Sequence, residues 1–224
     1  MDGYLLNLPC TDYGAVHTLQ NRLVEKRRAG DLDRDVVIFV EHPPVYTLGR
    51  RGGLEHLMIS EDLLQDRGVS VVQTERGGNI TWHGPGQLVA YPIVHLEKAG
   101  TGVSDFVSFL EGVMVKTLKG LGVWARSDPV NRGVWVEEKK IGSVGLRIKG
   151  GVSFHGLALN ICPDLTFFSW INPCGLKVSM TTAEMEAGEE VSLTKARQLM
   201  ALEFQTFFDG NLEEIALEEF GHVL

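Results

Sequence analysis

Three segments of the chain carry residue types suited to acyl chemistry: Arg76-Gly-Gly-Asn-Ile-Thr-Trp-His-Gly-Pro-Gly-Gln87, the stretch opening at Lys140, and Ile171-Asn-Pro-Cys-Gly175. A cysteine thiolate is a strong nucleophile, and the thioester it forms stays reactive toward an amine, so Cys174 is suited to accept an acyl group and pass it on. Its obstacle is the proton. An ordinary thiol, with a pKa near ~8.5, is only slightly ionised at neutral pH, and a neighbouring cation or base must lower it. Lys140 and His83 are the two candidate activators. Lys140 can act as an ammonium that stabilises the thiolate or as a desolvated amine that takes the proton. Spacing along the chain places neither beside Cys174.

Glycines 77, 78, 84 and 86 surround Pro85 in the first segment and let a ligand approach the main chain without a Cβ in the way. The segment is neither a P-loop, since it lacks the G-x-x-x-x-G-K-[ST] spacing, nor a dinucleotide fingerprint. A plain hairpin turn does not require Arg76, Thr81 and His83. Arg76 serves equally well as a structural ion-pair partner.

These segments need elements to position them. Thr11 or Asp12 caps a helix whose apolar residues Val16, Leu19 and Leu23 share one face, and Gly30 ends it. Val36–Val40 is a continuous apolar run of strand length, stopped by Glu41-His-Pro-Pro44. Ser60 caps a short helix ending at Gly68. Val69–Thr74 and Leu88–Val94 read as strands, the second placed at an edge or bulge by Pro92. A helix from Ser104 carries Phe106, Leu110, Val113, Met114 and Leu118 on one face, and glycines 120 and 122 end it. Strands follow at 133–137, 140–149 and 152–161, with Gly150-Gly151 as a two-residue hairpin turn that puts Lys140 at the start of a hairpin strand. Cys174 falls in the loop 162–179, and a last helix runs from Ser192 to Asp209. Hairpins mixed with helices predict an α+β architecture with mixed or antiparallel sheets rather than a doubly wound parallel sheet.

The chain has 224 residues, 44% hydrophobic and 22% charged, which suits one domain with a substantial core. We read 1–224 as a single catalytic domain, with about 183–224 an acidic C-terminal helical segment. No stretch approaches the ~18–20 apolar residues of a membrane span, and the N-terminus lacks the basic region of a secretory signal. A cytoplasmic protein without membrane attachment is expected. Cys10, Cys162 and Cys174 show no C-x-x-C spacing, so free thiols are expected and no metal is. The net charge of −8 is local: from Ala183 onward ten acids face Lys195 and Arg197, while residues 1–182 balance. Arg126, Arg132, Lys139, Lys140, Arg147 and Lys149 make 126–149 locally basic, too modestly for nucleic acid.

With Gly133-Val-Trp-Val136, Lys140-Ile-Gly-Ser-Val-Gly-Leu-Arg-Ile148 and Ser153-Phe-His-Gly-Leu-Ala-Leu-Asn160, the three segments resemble, in colinear order, those of the octanoyl-[acyl-carrier-protein]:protein N-octanoyltransferases, or lipoyl(octanoyl) transferases. The resemblance spans about residues 4–182. It implies a cofactor-independent acyltransferase of the biotin and lipoate protein ligase fold. Its donor would be octanoyl-acyl carrier protein, and its acceptor a lysine on lipoyl domains of 2-oxoacid dehydrogenase complexes or on the glycine cleavage H protein. By the same resemblance Cys174 carries the acyl group and Lys140 lowers its pKa. Substrate-binding residues fall on Arg76, Gly77, Gly78, Asn79, Ile80, Thr81, Trp82 and His83, on Ser143, Val144 and Gly145, and on Gly156, Leu157 and Ala158. The basic strip and Arg50-Arg51 would dock the acidic carrier. The rival readings are an ATP-dependent lipoate or octanoate ligase of the same fold, an amidotransferase between lipoyl domains, and a non-catalytic carrier-binding module.

Overall fold

The apolar run Val36–Val40 lies inside a mixed eight-stranded sheet in the computed structural model, which describes residues 2–172 and 178–220. In chain order the strands are β1 (Gly3–Cys10), β2 (Asp35–Glu41), β3 (Val45–Leu48), β4 (Ser70–Gln73), β5 (Ile80–His83), β6 (Gln87–Ile93), β7 (Arg126–Ser127), β8 (Val134–Val136), β9 (Lys139–Lys149), β10 (Val152–Asn160) and β11 (Leu212–Glu214). The helices are α1 (Tyr13–Ala29), α2 (Glu61–Asp66), α3 (Val103–Gly120), α4 (Ala183–Ala187), α5 (Leu193–Gln205) and α6 (Leu217–Phe220). The large sheet runs β11-β1-β2-β6-β10-β9-β8-β7 and a small one β4-β3-β5. The β1/β2, β1/β11 and β3/β4 pairs are parallel and the rest antiparallel. The expected mixed-sheet α+β architecture is what forms.

An uninterrupted apolar strand is what a sheet covered on both faces needs. Val36, Ile38 and Val40 pack with Val16, Leu23 and Val24 of α1, while Val37 and Phe39 join the core formed with α3 and α5. Asp12 is the α1 cap, its Oδ1 accepting the Ala15 N–H at 2.9 Å, and Gly30 ends the helix at φ 88°. Phe106, Leu110, Met114 and Leu118 are buried as their spacing predicts, each contributing about 1.5–3 kcal/mol. Gly150 and Gly151, at φ 54° and 82°, make the tight turn between β9 and β10 that only residues tolerant of positive φ can form.

Three sequence expectations need correction. Pro92 sits in the interior strand β6, not at an edge. Opposite it on β10 the ladder is interrupted: the β6/β10 register stops at Leu157 and Ala90, and His155 takes φ 55° and turns its own N–H to Gln20 Oε1 at 2.8 Å. The Ser153 hydroxyl there donates to Pro92 O and accepts from Val94 N–H. The acidic C-terminal segment is not wholly helical: the helix from Ser192 ends at Gln205, and β11 then pairs with β1, extending the large sheet. β1, β3, β7 and β5, the last inside the segment read as a glycine-rich loop, were not anticipated as strands at all.

The small sheet has its own core, in which Tyr46, Leu64, Ile80, Trp82 and Ile171 are buried and Phe167 stacks on Trp82 at 5.0 Å. Ile171 is thereby anchored immediately before the segment that contains Cys174.

Candidate active site

Lys140 is the second residue of β9, which starts one position before the hairpin predicts. Its half-buried side chain reaches across Gly133, donating from Nζ to Arg132 O at 2.9 Å and lying 5.2 Å from the Trp135 ring centroid. Gly133 adopts φ 129°, and a Cβ there would stand 2.6 Å from Lys140 Cε, so the glycine clears the path of the lysine chain. The Lys140 backbone is tied to the strip after the cysteine loop: its N–H donates to Ser179 O at 2.8 Å, and its carbonyl accepts from Thr181 N–H at 3.0 Å.

Cys174 lies outside the described residues. The chain leading to it does not: Asn172 N–H donates to His56 O at 2.9 Å, and the His56 ring answers Asn172 O through Nδ1 at 3.0 Å. His56 Nε2 meets Asn79 Nδ2 of the glycine loop at 3.0 Å. One tautomer satisfies both contacts, with Nδ1–H donating and Nε2 accepting.

The glycine loop is stitched to β9 by Gly77 N–H to Leu146 O at 2.9 Å, and to the chain after β3 by Gly49 N–H to Asn79 O at 3.2 Å. Ser143, Val144 and Gly145 pair directly with Ala158, Leu157 and Gly156 across β9 and β10. The two stretches named by resemblance are thus cross-strand neighbours, and the loop lies beside them. Gly77, Gly78, Asn79 and Thr81 are half-buried, whereas Ile80 and Trp82 belong to the small core.

Arg76 is buried and donates to Thr47 O at 2.5 Å, to Thr47 Oγ1 at 2.9 and 3.1 Å and to Gly77 O at 3.0 Å. No carboxylate pairs with it among the described residues, so the ion-pair reading gives way to a guanidinium that braces the loop. His83 is buried too, with Nδ1 2.7 Å from Gln87 Oε1 and Nε2 3.5 Å from Thr47 Oγ1. Burial pushes its pKa down to about 3, so the imidazole is neutral.

Sequence reasoning missed the residues that join these parts. Gln87 Nε2 donates to Asn160 Oδ1 at 2.9 Å and Asn160 Nδ2 to Thr181 O at 3.1 Å, which leads from His83 to the strip that holds Lys140. An asparagine ending the apolar strand β10 was the available signal. Also missed was a buried polar cluster under the loop. His42 is 2.8 Å from the Tyr91 hydroxyl and 2.7 Å from Thr11 O, and the rings of Tyr13, His42 and His83 meet in a triangle with centroids 5.2–6.1 Å apart. Burial lowers His42 to about 4 and His155 to about 3.

The residues that build most of this sheet, its glycine loop and its lysine-bearing hairpin make up a lipoyl-ligase-type catalytic domain. The family model described as "Lipoyl protein ligase A/B catalytic domain" matches residues 12–205. In fold the chain resembles a bi-partite lipoate protein ligase from Thermoplasma acidophilum, with a TM-score of 0.74, 17% identity, and coverage of 100% of this chain and 90% of the other. In sequence it is 50% identical over 190 residues to an octanoyltransferase of Desulfotalea psychrophila, covering 84% of this chain and 85% of the relative. It is 43% identical over 217 residues to an octanoyltransferase of Syntrophobacter fumaroxidans, covering 96% and 95%. The chain belongs to the octanoyltransferase family. No helix among the described residues is long and apolar enough to cross a membrane.

Proposed function

We propose that this chain moves an octanoyl group from octanoyl-acyl carrier protein to a lysine of a lipoyl domain through a thioester on Cys174, as one catalytic domain. The observation that carries the reading is the bracketing of the cysteine segment. Asn172 is held to His56 and through it to Asn79 of the glycine loop, while Ser179 and Thr181 are hydrogen-bonded to the backbone of Lys140. Lysine and ligand loop thus grip the two flanks of one short segment. The other two cysteines are poor rivals: burial and Glu41 push the Cys10 thiol up, and burial with Glu184, Glu41 and Glu190 does the same to Cys162. As free thiols they fit a reducing cytoplasm.

In the first step the Cys174 thiolate forms a C–S bond to the octanoyl carbonyl and the carrier's C–S bond breaks. The carrier thiol leaves with a proton supplied by Lys140, and backbone N–H groups of the glycine-rich strands stabilise the oxyanion. In the second step the neutral acceptor amine forms a C–N bond to the octanoyl carbonyl, its proton passes to the Lys140 amine that the first step left deprotonated, and the C–S bond breaks to return the Cys174 thiolate. Thioester exchange is nearly neutral and amide formation is downhill, so no nucleotide is needed. Among the assigned residues, Arg76 and His83 act from beneath the loop, and the Ser143–Gly145 and Gly156–Ala158 pairs form its floor.

Incubation with octanoyl-acyl carrier protein in the absence of ATP should give an octanoyl adduct by intact mass, and Cys174→Ser should abolish it. An adduct that survives Cys174→Ser, or that requires ATP, overturns the proposal.

A further inference from the structure

Behind the glycine loop, three side chains from distant parts of the sequence converge: His17 of α1, Glu75 just before Arg76, and His155 of β10. We propose that His17, Glu75 and His155 form a binding site for one divalent ion of the zinc type, separate from the acyl-transfer machinery. Glu75 Oε2 stands 3.1 Å from His17 Nε2 and 3.6 Å from His155 Nε2, and the three donor atoms all lie within 4.8 Å of one another. Tetrahedral zinc with bonds of ~2.0–2.1 Å separates its ligand atoms by roughly 3.3 Å, which these two distances bracket.

The strongest single sign is His155 Nε2. It is fully buried and has no hydrogen-bond partner, because 3.6 Å to the carboxylate is too long for one. A buried ring nitrogen aimed at a carboxylate it does not bond is normally costly, and an ion between them removes that cost. The ring is also held there deliberately. His155 keeps φ 55°, Gln20 accepts its backbone N–H, and its Nδ1 faces the Tyr13 hydroxyl in a long 3.5 Å contact, on the side where a metal-bound histidine's outer partner sits. The His17 ring lies alongside at 5.3 Å between centroids. Asn21 Nδ2, 3.2 Å from His17 Nε2, retains its bond to His17 O at 3.0 Å if an ion takes that nitrogen.

Two imidazoles and one carboxylate select zinc-like transition metals over magnesium or calcium, which take all-oxygen shells. Glu75 is half exposed, so the solvent side is open for ion entry and for a water as fourth ligand. An ion here would clamp the residue next to Arg76 to α1 and β10, fixing the root of the glycine loop.

The test uses the full chain carrying Cys10→Ser, Cys162→Ser and Cys174→Ser, which keeps thiolates from binding the probe. After chelator treatment it is titrated with zinc by calorimetry and with cobalt by visible absorption. One zinc per chain at micromolar affinity or tighter is expected, with cobalt giving ligand-field bands. His17→Ala and Glu75→Gln, at partly exposed positions and checked for metal-free melting temperature, should each weaken zinc at least ~10-fold, since even outer-shell losses cost that much. No zinc bound by the parent, or parental affinity in either variant, overturns the proposal.

Discussion

Arg76 and Lys140 are the two cations that the sequence sets beside the chemistry, and the fold treats them in opposite ways. Arg76 is 8% exposed and spends its guanidinium on the carbonyls of Thr47 and Gly77 and the Thr47 hydroxyl. Lys140 is half-buried at the start of a strand, with its amine on one carbonyl and beside the face of Trp135. A planar five-donor group locked by carbonyls shapes a loop, whereas a compact amine at the margin of the core is placed to exchange a proton. On the proposed function, the fold separates bracing from chemistry.

The contrast predicts different failures. Lys140→Met should lower the transfer rate about 100- to 10,000-fold, the usual span for removing a general acid–base, with the denaturation midpoint nearly unchanged. Arg76→Met should instead lose about 2–4 kcal/mol of stability in denaturant unfolding, because one strand carbonyl, one loop carbonyl and a hydroxyl lose a buried charged donor. If Arg76→Met unfolded like the parent, or Lys140→Met lost stability while transferring normally, the division of roles would be wrong.

His83 belongs on the Arg76 side of that division. Its pKa of about 3 in the fold lies well below the ordinary 6.5 of the unfolded chain. Above pH 6.5 both states are neutral and its titration leaves stability unaffected. As pH falls below 6.5 the unfolded chain takes up the proton first, so stability is lost progressively toward pH 3, by up to about 1.4 kcal/mol per pH unit. His42 adds to the same slope down to about pH 4. His83→Gln should flatten the acid slope of unfolding free energy by about that amount while leaving the position of the acid limb in the kcat–pH profile where the parent has it. A displaced limb would make His83 part of the proton transfer.

What could be read from the sequence was local. Asp12 and Gly30 bound α1, the run Val36–Val40 is an interior strand, and Gly150-Gly151 turns the hairpin, because capping, burial and turn chemistry are decided within a few residues. β11 was not legible: three residues of which only Leu212 is buried carry no periodic signal, and parallel pairing with β1 is its only cause. Pro92 misled for a related reason, since the break in the ladder that accommodates it lies across the sheet at Ser153 and His155. In the site, the lysine and the glycine loop carried a recognisable pattern, but His56, Asn160 and Thr181 act through hydrogen bonds between remote segments. The convergence of His17, Glu75 and His155 is invisible for the same reason.

The smallest effect concerns charge at the surface, where the sequence overstated the basic strip. Arg126 pairs with Asp128, Arg132 with Glu111, Lys139 with Glu186 and Lys149 with Glu25, so most of its charge is answered within the chain. Arg147, Arg50 and Arg51 are exposed and have no acid within ion-pair distance among the described residues. They also flank the loop, since Arg50 N–H donates to Arg76 O and Gly77 N–H to Leu146 O, next to Arg147. An acidic carrier protein brought to that loop would meet these three arginines rather than Lys149. Arg50→Glu with Arg147→Glu should raise KM for the octanoyl carrier about 3- to 10-fold, more at low salt, with kcat unchanged, because rim charges act mainly on encounter. Lys149→Glu should leave KM within about 2-fold, the scale of an exposed ion pair. Equal effects from the two reversals would return the docking surface to the whole strip.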